Sequence, residues 1–319
     1  MKYIFYFLFL LTVTCKITGQ ASLDSLYIEK KIVLHTTSGD IIGTMTIPVE
    51  HDLSKIVLII AGSGPTNKDG NSIAGLITNS YKMLAHGMAE NGISSVRYDK
   101  RGIGESAFSM KSESEIRFED YFSDAESWVI KLDSMSRFNE IIILGHSEGS
   151  LIGMIAAKNS AVDKFISIAG IGSPASEIIG KQLSMKISGD LLAESNNILD
   201  SLKVGKTVKN ADPKLSMLFR ESVQPYLMSW FKYDPSNEIQ KLKKPVLIIQ
   251  GKADIQVELE EAEKLKKANP DAELIVIDNM DHVMKESLKG ENIYKNYADP
   301  VKPLKPELLD ALVEFIIID

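Results

Sequence analysis

Short apolar runs alternate with longer amphipathic stretches along most of the chain. Residues 56–60 and 141–144 are wholly apolar runs of four or five residues, typical of strands buried in a parallel sheet. Stretches such as 81–90 and 118–134 instead carry apolar residues at helical spacing. This alternation predicts an α/β fold, a mainly parallel sheet with helices on both faces. Strand-like runs at 30–36 and 41–48, which flank a Thr-Ser-Gly-Asp turn, predict a hairpin at the sheet edge.

The pattern changes between residues 173 and 243. Apolar residues there recur at helical spacing through 178–187, 191–202 and 215–231, with no strand signal, and prolines punctuate the stretch. Strand and helix signals then return, with strands at 245–250 and 273–278 and helices at 257–268 and 306–315. We therefore predict a core of residues 22–172 and 244–319, with 173–243 as a helical cap insertion that sets the shape of the pocket.

The first residues have the pattern of a secretory signal. Met1 and Lys2 precede an apolar stretch that is too short for a good membrane span, and small residues favour cleavage after Ala21. Residues 1–21 are thus predicted to be a signal peptide that directs export to the periplasm or outside the cell, with no stable membrane span after processing. A retained membrane anchor is the alternative. Lipid attachment through Cys15 is another, although Thr14 is larger than the small residue usual before such a cysteine.

Composition narrows the candidate chemistry. The chain of 319 residues is 44% hydrophobic and 25% charged, an ordinary globular balance. Its net charge of −7, with no run of Lys and Arg, argues against a nucleic-acid partner. Cys15 is the only cysteine, so cleavage after Ala21 would leave a domain with neither a disulfide nor a cysteine nucleophile.

Residues 145–149 form a Gly-x-Ser-x-Gly motif. It follows the apolar run at 141–144 and precedes a stretch of good helix formers. A strand, a tight turn and a helix in that order would strain the backbone of Ser147 and expose its hydroxyl at the end of the sheet. Gly145 and Gly149 would give such a turn the room it needs. The motif predicts that Ser147 is a nucleophile.

A serine nucleophile needs a base, and His282 is the candidate among five histidines. It follows the last predicted strand, and ligand chemistry in open α/β sheets lies at the carboxyl ends of strands. The other four histidines are predicted to be structural: His35, His51, His86 and His146. The ring of His146 is expected to point away from the adjacent Ser147.

The carboxylate that orients the base should lie between serine and histidine in sequence. Asp254 follows the strand at 245–250 and is our candidate. Asp278 and Asp281 are rivals because they are close to His282 along the chain, but closeness in sequence does not aim a carboxylate at the imidazole. Asp281 is expected to shape the turn instead.

Attack on a carbonyl also requires donors for the oxyanion. The backbone N–H of Glu148, at the start of the helix after the nucleophile, is one candidate. The N–H of Ser63 is the second, with Gly64 as the alternative. Gly62 and Gly64 would let this loop approach the substrate closely. Asn67, in the polar stretch that follows, is expected to bind a polar group of the substrate; a merely solvated loop is the alternative.

Together these residues resemble the α/β-hydrolase fold family over residues 30–319. Ser147, Asp254 and His282 match its nucleophile–acid–histidine order. Residues 61–65 are similar to its His-Gly-x-Gly-Pro oxyanion loop, with alanine in place of the histidine, and residues 97–106 are similar to an Arg-x-Asp-x-Arg-Gly-x-Gly-x-Ser loop of structural role. More narrowly, the chain resembles bacterial esterases and serine-aminopeptidase-like hydrolases with a Gly-Ser-Gly-Pro loop.

These candidates predict a serine hydrolase that cleaves small-molecule carboxylic esters through an acyl-enzyme and needs no metal or organic cofactor. A peptidase or amidase that acts on small peptides with the same residues is the alternative. It would need an acidic anchor for a free amine, for which Glu148, Glu177 and Glu194 are candidates. A binding protein on the same scaffold would be expected to lack one of the three catalytic residues, and all three are present in order.

Overall fold

A single sheet organises the part of the chain that the computed structural model describes, residues 26–49, 54–73, 75–110 and 112–318. Eight strands in that part are hydrogen-bonded in the order β1-β2-β4-β3-β5-β6-β7-β8. Their bounds are β1 Tyr27–Thr36, β2 Gly39–Pro48, β3 Lys55–Ile60, β4 Ser94–Tyr98, β5 Glu140–His146, β6 Lys164–Ile168, β7 Val246–Gly251 and β8 Glu273–Ile277.

The edge hairpin and the parallel core are both as the sequence predicts. β1 and β2 pair antiparallel across a two-residue turn, with Leu34 opposite Ile41, and β2 pairs antiparallel with β4. Every other neighbouring pair, from β4–β3 to β7–β8, is parallel. The carboxyl ends of β3, β5, β7 and β8 therefore meet at one edge of the sheet, which is where the candidate chemistry lies.

Helices cover both faces of the sheet. Side chains alternate along the strands, so Ile56 and Leu58 pack on opposite sides from Val57 and Ile59. One face packs against α2, α3 and α9, and the other against α1 and α10. The helix bounds are α1 Ser80–Glu90, α2 Phe118–Asp133, α3 Glu148–Ala156, α4 Ala175–Ser184, α5 Gly189–Lys203, α6 Ser216–Phe219, α7 Gln224–Trp230, α8 Pro235–Ile239, α9 Leu259–Ala268 and α10 Pro306–Ile317.

Residues 173–243 contain the helices α4 to α8, of which α7 packs onto α2 and α8 packs onto α3 and α9. Phe118 at the start of α2 stacks on Trp230 of α7, with ring centroids 5.9 Å apart. The helical pattern at 215–231 is two helices rather than one: α6 ends at Phe219 and α7 starts at Gln224, with Pro225 in its first turn. Proline lacks the N–H that a continuous helix would need there, so the chain breaks and restarts.

The predictions about the N-terminal segment concern residues outside the described part of the chain. They include the signal peptide at 1–21 and the alternative of lipid attachment at Cys15; His51 also lies outside it. They stay predictions, as does the division into a core and a cap. Within the described residues, no helix has both the length and the apolar character that a membrane span requires.

Candidate active site

Ser147 occupies a strained turn between β5 and α3. Its backbone has φ 54° and ψ −120°, an unusual conformation for a residue with a side chain. Hydrogen bonds on both sides hold this conformation: the Ser147 N–H donates to the Ile168 carbonyl at 3.0 Å, and its carbonyl accepts from the Ser150 N–H at 3.0 Å. The side chain projects from the end of the sheet and is partly exposed.

Glycines on either side make this turn possible. A Cβ added at Gly145 would collide with the backbone of Gly149, and a Cβ added at Gly149 would collide with the carbonyl of Ile60 on β3. Both clashes are with backbone atoms, which cannot move aside as a flexible side chain could. The sequence therefore has glycine where the strand and the helix approach each other most closely.

Asp254 and His282 form a buried hydrogen-bonded pair. Asp254 follows β7, and its Oδ2 lies 2.8 Å from Nδ1 of His282. Its Oδ1 accepts the backbone N–H groups of Gln256 at 2.7 Å and Val257 at 3.0 Å. Burial opposes ionisation of Asp254, but the charge and hydrogen bond of His282 and the two amides outweigh it, so its pKa lies below the ordinary value. The carboxylate is thus ionised at neutral pH and orients the imidazole.

The two rival carboxylates are held elsewhere. Asp278 is 73% exposed and forms an ion pair with Lys252, with 2.6 Å between Oδ1 and Nζ. Asp281 is buried, and its side chain accepts the N–H of Lys285 at 2.9 Å and the amide of Asn296 at 2.6 Å. Asp281 therefore shapes the turn that carries His282.

Ser147 and His282 line the same cavity. Its walls come from the loop and helix start at residues 62–81 and from residues 256–297. None of the described residues in 173–243 lines it, so the helical insertion does not shape this cavity as we expected. The apolar side chains of the insertion, such as Trp230, pack into the core instead, because they cover the apolar face of α2.

The loop after β3 runs alongside the nucleophile. A Cβ at Gly62 would lie 3.2 Å from the Ser147 Cβ, so the loop backbone and the serine are in close contact. The Gly62 N–H already donates to the Tyr81 hydroxyl at 2.9 Å. Ser63 and Gly64 are exposed, and Gly64 adopts a positive φ of 73°. The choice between the N–H groups of Ser63 and Gly64 as oxyanion donor stays open.

Asn67 stabilises its own loop. Its Oδ1 accepts the backbone N–H groups of Asp69 at 3.0 Å and Asn71 at 2.9 Å. The carbonyl oxygen of this side chain is therefore used within the loop, in the manner of an Asx turn. A contact between Asn67 and substrate stays a prediction.

His146 contributes to the site, which the sequence analysis missed. Its Nε2 lies 2.8 Å from the backbone carbonyl of His282, and its Nδ1 lies 2.8 Å from the Tyr81 hydroxyl. A carbonyl only accepts, so Nε2 carries the proton and Nδ1 accepts from Tyr81, which in turn accepts from Gly62. The ring therefore lies under the cavity and does not point away from it. In the sequence, only the position of His146 next to Ser147 could have indicated this role.

The pKa of His146 is lowered to about 3 by burial and, to a lesser extent, by the charge of His282. Between that value and about 6.5 the unfolded chain binds a proton that the native state does not. The free energy of unfolding should therefore fall with falling pH, by up to about 1.4 kcal/mol per pH unit from this group. In His146→Gln this contribution should vanish, which chemical unfolding at pH 4.5 to 7 would measure.

His35→Gln is the matched control, because His35 is 78% exposed and pairs with the exposed Asp40 across the β1–β2 hairpin. The control should keep the wild-type pH dependence. An unchanged acid limb in His146→Gln would contradict the assignment of a neutral, buried His146.

Glu148 begins α3 with its side chain buried. The carboxylate accepts Lys100 Nζ at 2.7 Å on one oxygen and the Tyr226 hydroxyl on the other. Both side chains of the ion pair are 2% exposed. The carboxylate of Glu148 is therefore occupied by protein groups, while its backbone N–H stands directly after the nucleophile.

The loop at residues 97–106 is structural, as its resemblance implied. Arg101 forms a two-pronged ion pair with Asp124 of α2, at 2.6 and 2.5 Å. Asp99 accepts the N–H groups of Lys68 at 2.6 Å and Glu105 at 2.8 Å. These contacts tie the end of β4 to α2 and to the loop after β3. In the described part of the chain, no group of three or more His, Cys, Asp or Glu side chains is placed to hold a metal ion.

The sheet order and the strained serine turn are those of the α/β-hydrolase fold, and the solved structures to which the chain is similar show that it has this fold. Residues 75–225, just under half of the chain, match the family described as serine aminopeptidase, S33.

The chain is also similar in sequence to a known esterase. The chain is 25% identical over 276 residues to the esterase EstD of Thermotoga maritima. That alignment covers 85% of this chain but only 63% of EstD, so this chain spans less than two thirds of the length of that relative.

Solved structures share the fold. Est1E from Butyrivibrio proteoclasticus is similar with a TM-score of 0.59 and 15% identity, over 90% of this chain and 97% of that one. The esterase Pf2001 of Pyrococcus furiosus is similar with a TM-score of 0.55 and 15% identity, over 91% and 92%.

Proposed function

We propose that this protein is a serine hydrolase that cleaves small carboxylic esters. The observation that supports this most strongly is the buried hydrogen bond between Asp254 and His282, in a cavity that is also lined by the strained Ser147. A serine in such a turn, beside a histidine whose tautomer is fixed by a carboxylate, is the arrangement that makes a hydroxyl nucleophilic. The relative EstD is named an esterase, which agrees with ester hydrolysis.

In this proposal Asp254 accepts a hydrogen bond from the Nδ1–H group of His282, which leaves Nε2 unprotonated and able to take the proton of Ser147. The serine oxygen attacks the ester carbonyl, and the oxyanion receives the N–H of Glu148 and that of Ser63 or Gly64. His282 then gives its proton to the departing alcohol, and an acyl-enzyme remains. Water, deprotonated by His282, releases the acid by the reverse sequence. We place this reaction outside the cytoplasm, a proposal that rests on the N-terminal sequence pattern alone.

Hydrolysis of aminoacyl amides is the second candidate, and the matched family is named for it. Such a substrate would need an acidic side chain beside the cavity for its free amine. Glu148 is buried against Lys100, and Glu194 accepts the N–H of Asp212 at 2.8 Å. Glu177 is exposed on α4, which contributes nothing to the cavity wall. The three candidate carboxylates are thus occupied by protein groups or outside the cavity wall, and this favours esters.

The test is a panel of p-nitrophenyl esters with acyl chains of increasing length, run beside aminoacyl p-nitroanilides. We expect kcat/KM on the best ester to exceed that on the best anilide by about a hundredfold or more, because an amide needs stronger leaving-group protonation. A preference for the anilides would contradict the ester assignment and support the second candidate. Turnover of neither class would count against both.

A further inference from the structure

A buried lysine ammonium contacts both the loop after β3 and Glu148, the two parts of the chain that carry the candidate oxyanion donors. Lys100 follows β4, and its side chain is 2% exposed. Its Nζ donates to the carbonyl of Gly62 at 2.7 Å and to Glu148 at 2.7 Å, and it lies 4.9 Å above the ring of Tyr121. Lysine is rarely buried so completely, since its charge must be compensated by partners. The structural role of residues 97–106 rests on the contacts of Arg101 and Asp99, and these do not involve the side chain of Lys100.

The contact with Gly62 fixes the direction of the next N–H. The Gly62 carbonyl and the Ser63 N–H belong to one peptide unit, and in a trans peptide these two groups point in opposite directions. When Lys100 holds the carbonyl on one side, the Ser63 N–H is directed to the other. The Tyr81 hydroxyl holds the preceding unit by the Gly62 N–H. Both polar groups of Gly62 are thus anchored by buried side chains.

This loop needs such anchoring. Gly62 and Gly64 flank Ser63, and glycine leaves the backbone freer than any other residue. Ala61, which precedes Gly62, has no polar side chain that could hold the loop. Lys100, which follows β4, supplies such a contact through the Gly62 carbonyl.

Glu148, the ion-pair partner of Lys100, is also the residue whose N–H is the other candidate oxyanion donor. Glu148 provides its backbone N–H at the start of α3 and its carboxylate to Lys100. Tyr226 of α7 donates to the same carboxylate, which ties the pair to the helical insertion. One buried ion pair therefore joins the loop that carries Ser63 to the residue that carries the other donor.

We propose that the Ser63 N–H is the loop donor and that Lys100 is a positioning residue that, through its ion pair with Glu148, holds the N–H groups of Ser63 and Glu148 at their working separation. The inference rests on the proposed function. Because Glu148 balances its charge, Lys100 acts by geometry and makes no direct contact with the substrate. Its loss should weaken binding of the tetrahedral intermediate and leave binding of the ester ground state nearly unchanged.

The experiment uses Lys100→Met combined with Glu148→Gln, which removes both charges together and leaves neither buried alone. Kinetic constants are measured on a short-chain ester, with the inhibition constant of an alkyl boronic acid that mimics the tetrahedral intermediate. We expect kcat to fall by about 10- to 100-fold, less than for complete loss of a donor, with KM changed less than about threefold. Affinity for the boronic acid should fall by a similar factor.

Lys164→Met is the matched control. Lys164 is the first residue of β6 and is also buried; it donates to backbone carbonyls at the end of α10, including that of Ile316 at 3.2 Å, and it does not line the cavity. It should lose stability and keep kcat and boronate affinity. If the double variant does not fold, Tyr226→Phe, which removes a hydrogen bond to the Glu148 carboxylate and keeps both charges, repeats the measurement and should show a smaller but parallel loss of both.

The outcomes separate the two claims. A folded variant with wild-type kcat and boronate affinity, while the wild type hydrolyses esters, overturns the role of Lys100 and leaves the proposed function intact. A fall in kcat without a fall in boronate affinity also overturns it. A wild-type protein that does not hydrolyse esters overturns both.

Discussion

Replacing Ser147 by alanine should lower kcat for a short-chain ester by several thousandfold or more. The hydroxyl is the atom that bonds to the acyl group, and no positioned water can replace it at a comparable rate. Stability should hardly change, because alanine keeps the Cβ that the strained backbone already accommodates and the backbone hydrogen bonds of residue 147 remain. Steady-state kinetics and thermal unfolding of the same preparation would check both expectations.

Ser160→Ala is the control for this experiment, since Ser160 is an exposed serine in the turn after α3. It should behave as the wild type in both measurements. If Ser147→Ala retained more than about a tenth of the activity, Ser147 would not be the nucleophile, since loss of the attacking atom is expected to cost far more.

Asp254→Asn should lower kcat by about a thousandfold to ten-thousandfold while the fold is kept. The N–H groups of Gln256 and Val257 both donate to Oδ1, so the amide oxygen of the variant must take that place. Its NH2 group then faces Nδ1 of His282, where Oδ2 now lies at 2.8 Å. The imidazole is forced to accept there and to carry its proton on Nε2, and so it can no longer take the serine proton. Kinetics on a short-chain ester measure the loss.

The two other aspartates provide matched controls. Asp278→Asn removes an exposed partner of Lys252 and should leave kcat unchanged. Asp281→Asn disturbs a buried group that accepts from Lys285 and Asn296. It should therefore lower the melting temperature, while the kcat of the folded protein changes little. A larger loss of kcat in Asp281→Asn than in Asp254→Asn would contradict the assignment of the orienting acid.

The order of strands and helices could be predicted from sequence because local pattern and final environment agree. The run at 141–144 is apolar on every residue, and β5 is buried on both faces. Alternating neighbours such as Val57 and Leu58 then divide between the two helical layers. Where each short apolar run is also a central strand, no long-range information is needed to recognise it.

The proximity of Asp254 and His282 could also be predicted from the sequence. Both follow strands whose carboxyl ends lie at the same edge of a parallel sheet, and this rule selected them over residues nearer in sequence. Asp281 shows why proximity along the chain misleads: its carboxylate turns back to its own loop and accepts from Lys285.

The walls of the cavity could not be predicted. They come from residues 62–81 and 256–297, which include long irregular segments without periodicity, stabilised by contacts between residues distant in sequence. An example is the bond from Ser80 to the carbonyl of Val283 at 2.8 Å. The hydrogen bonds of His146 and the buried pair of Lys100 and Glu148 likewise join separate elements, and a single sequence carries no signal for such pairings.

Covalent labelling tests the central claim most directly. The protein is incubated with a fluorophosphonate, which reacts with an activated serine, and the adduct is located by peptide mass spectrometry. The account predicts one adduct per chain, on Ser147, formed quickly in the wild type and much more slowly in Asp254→Asn. An adduct on a different residue, or no adduct on the folded wild-type protein, would contradict it.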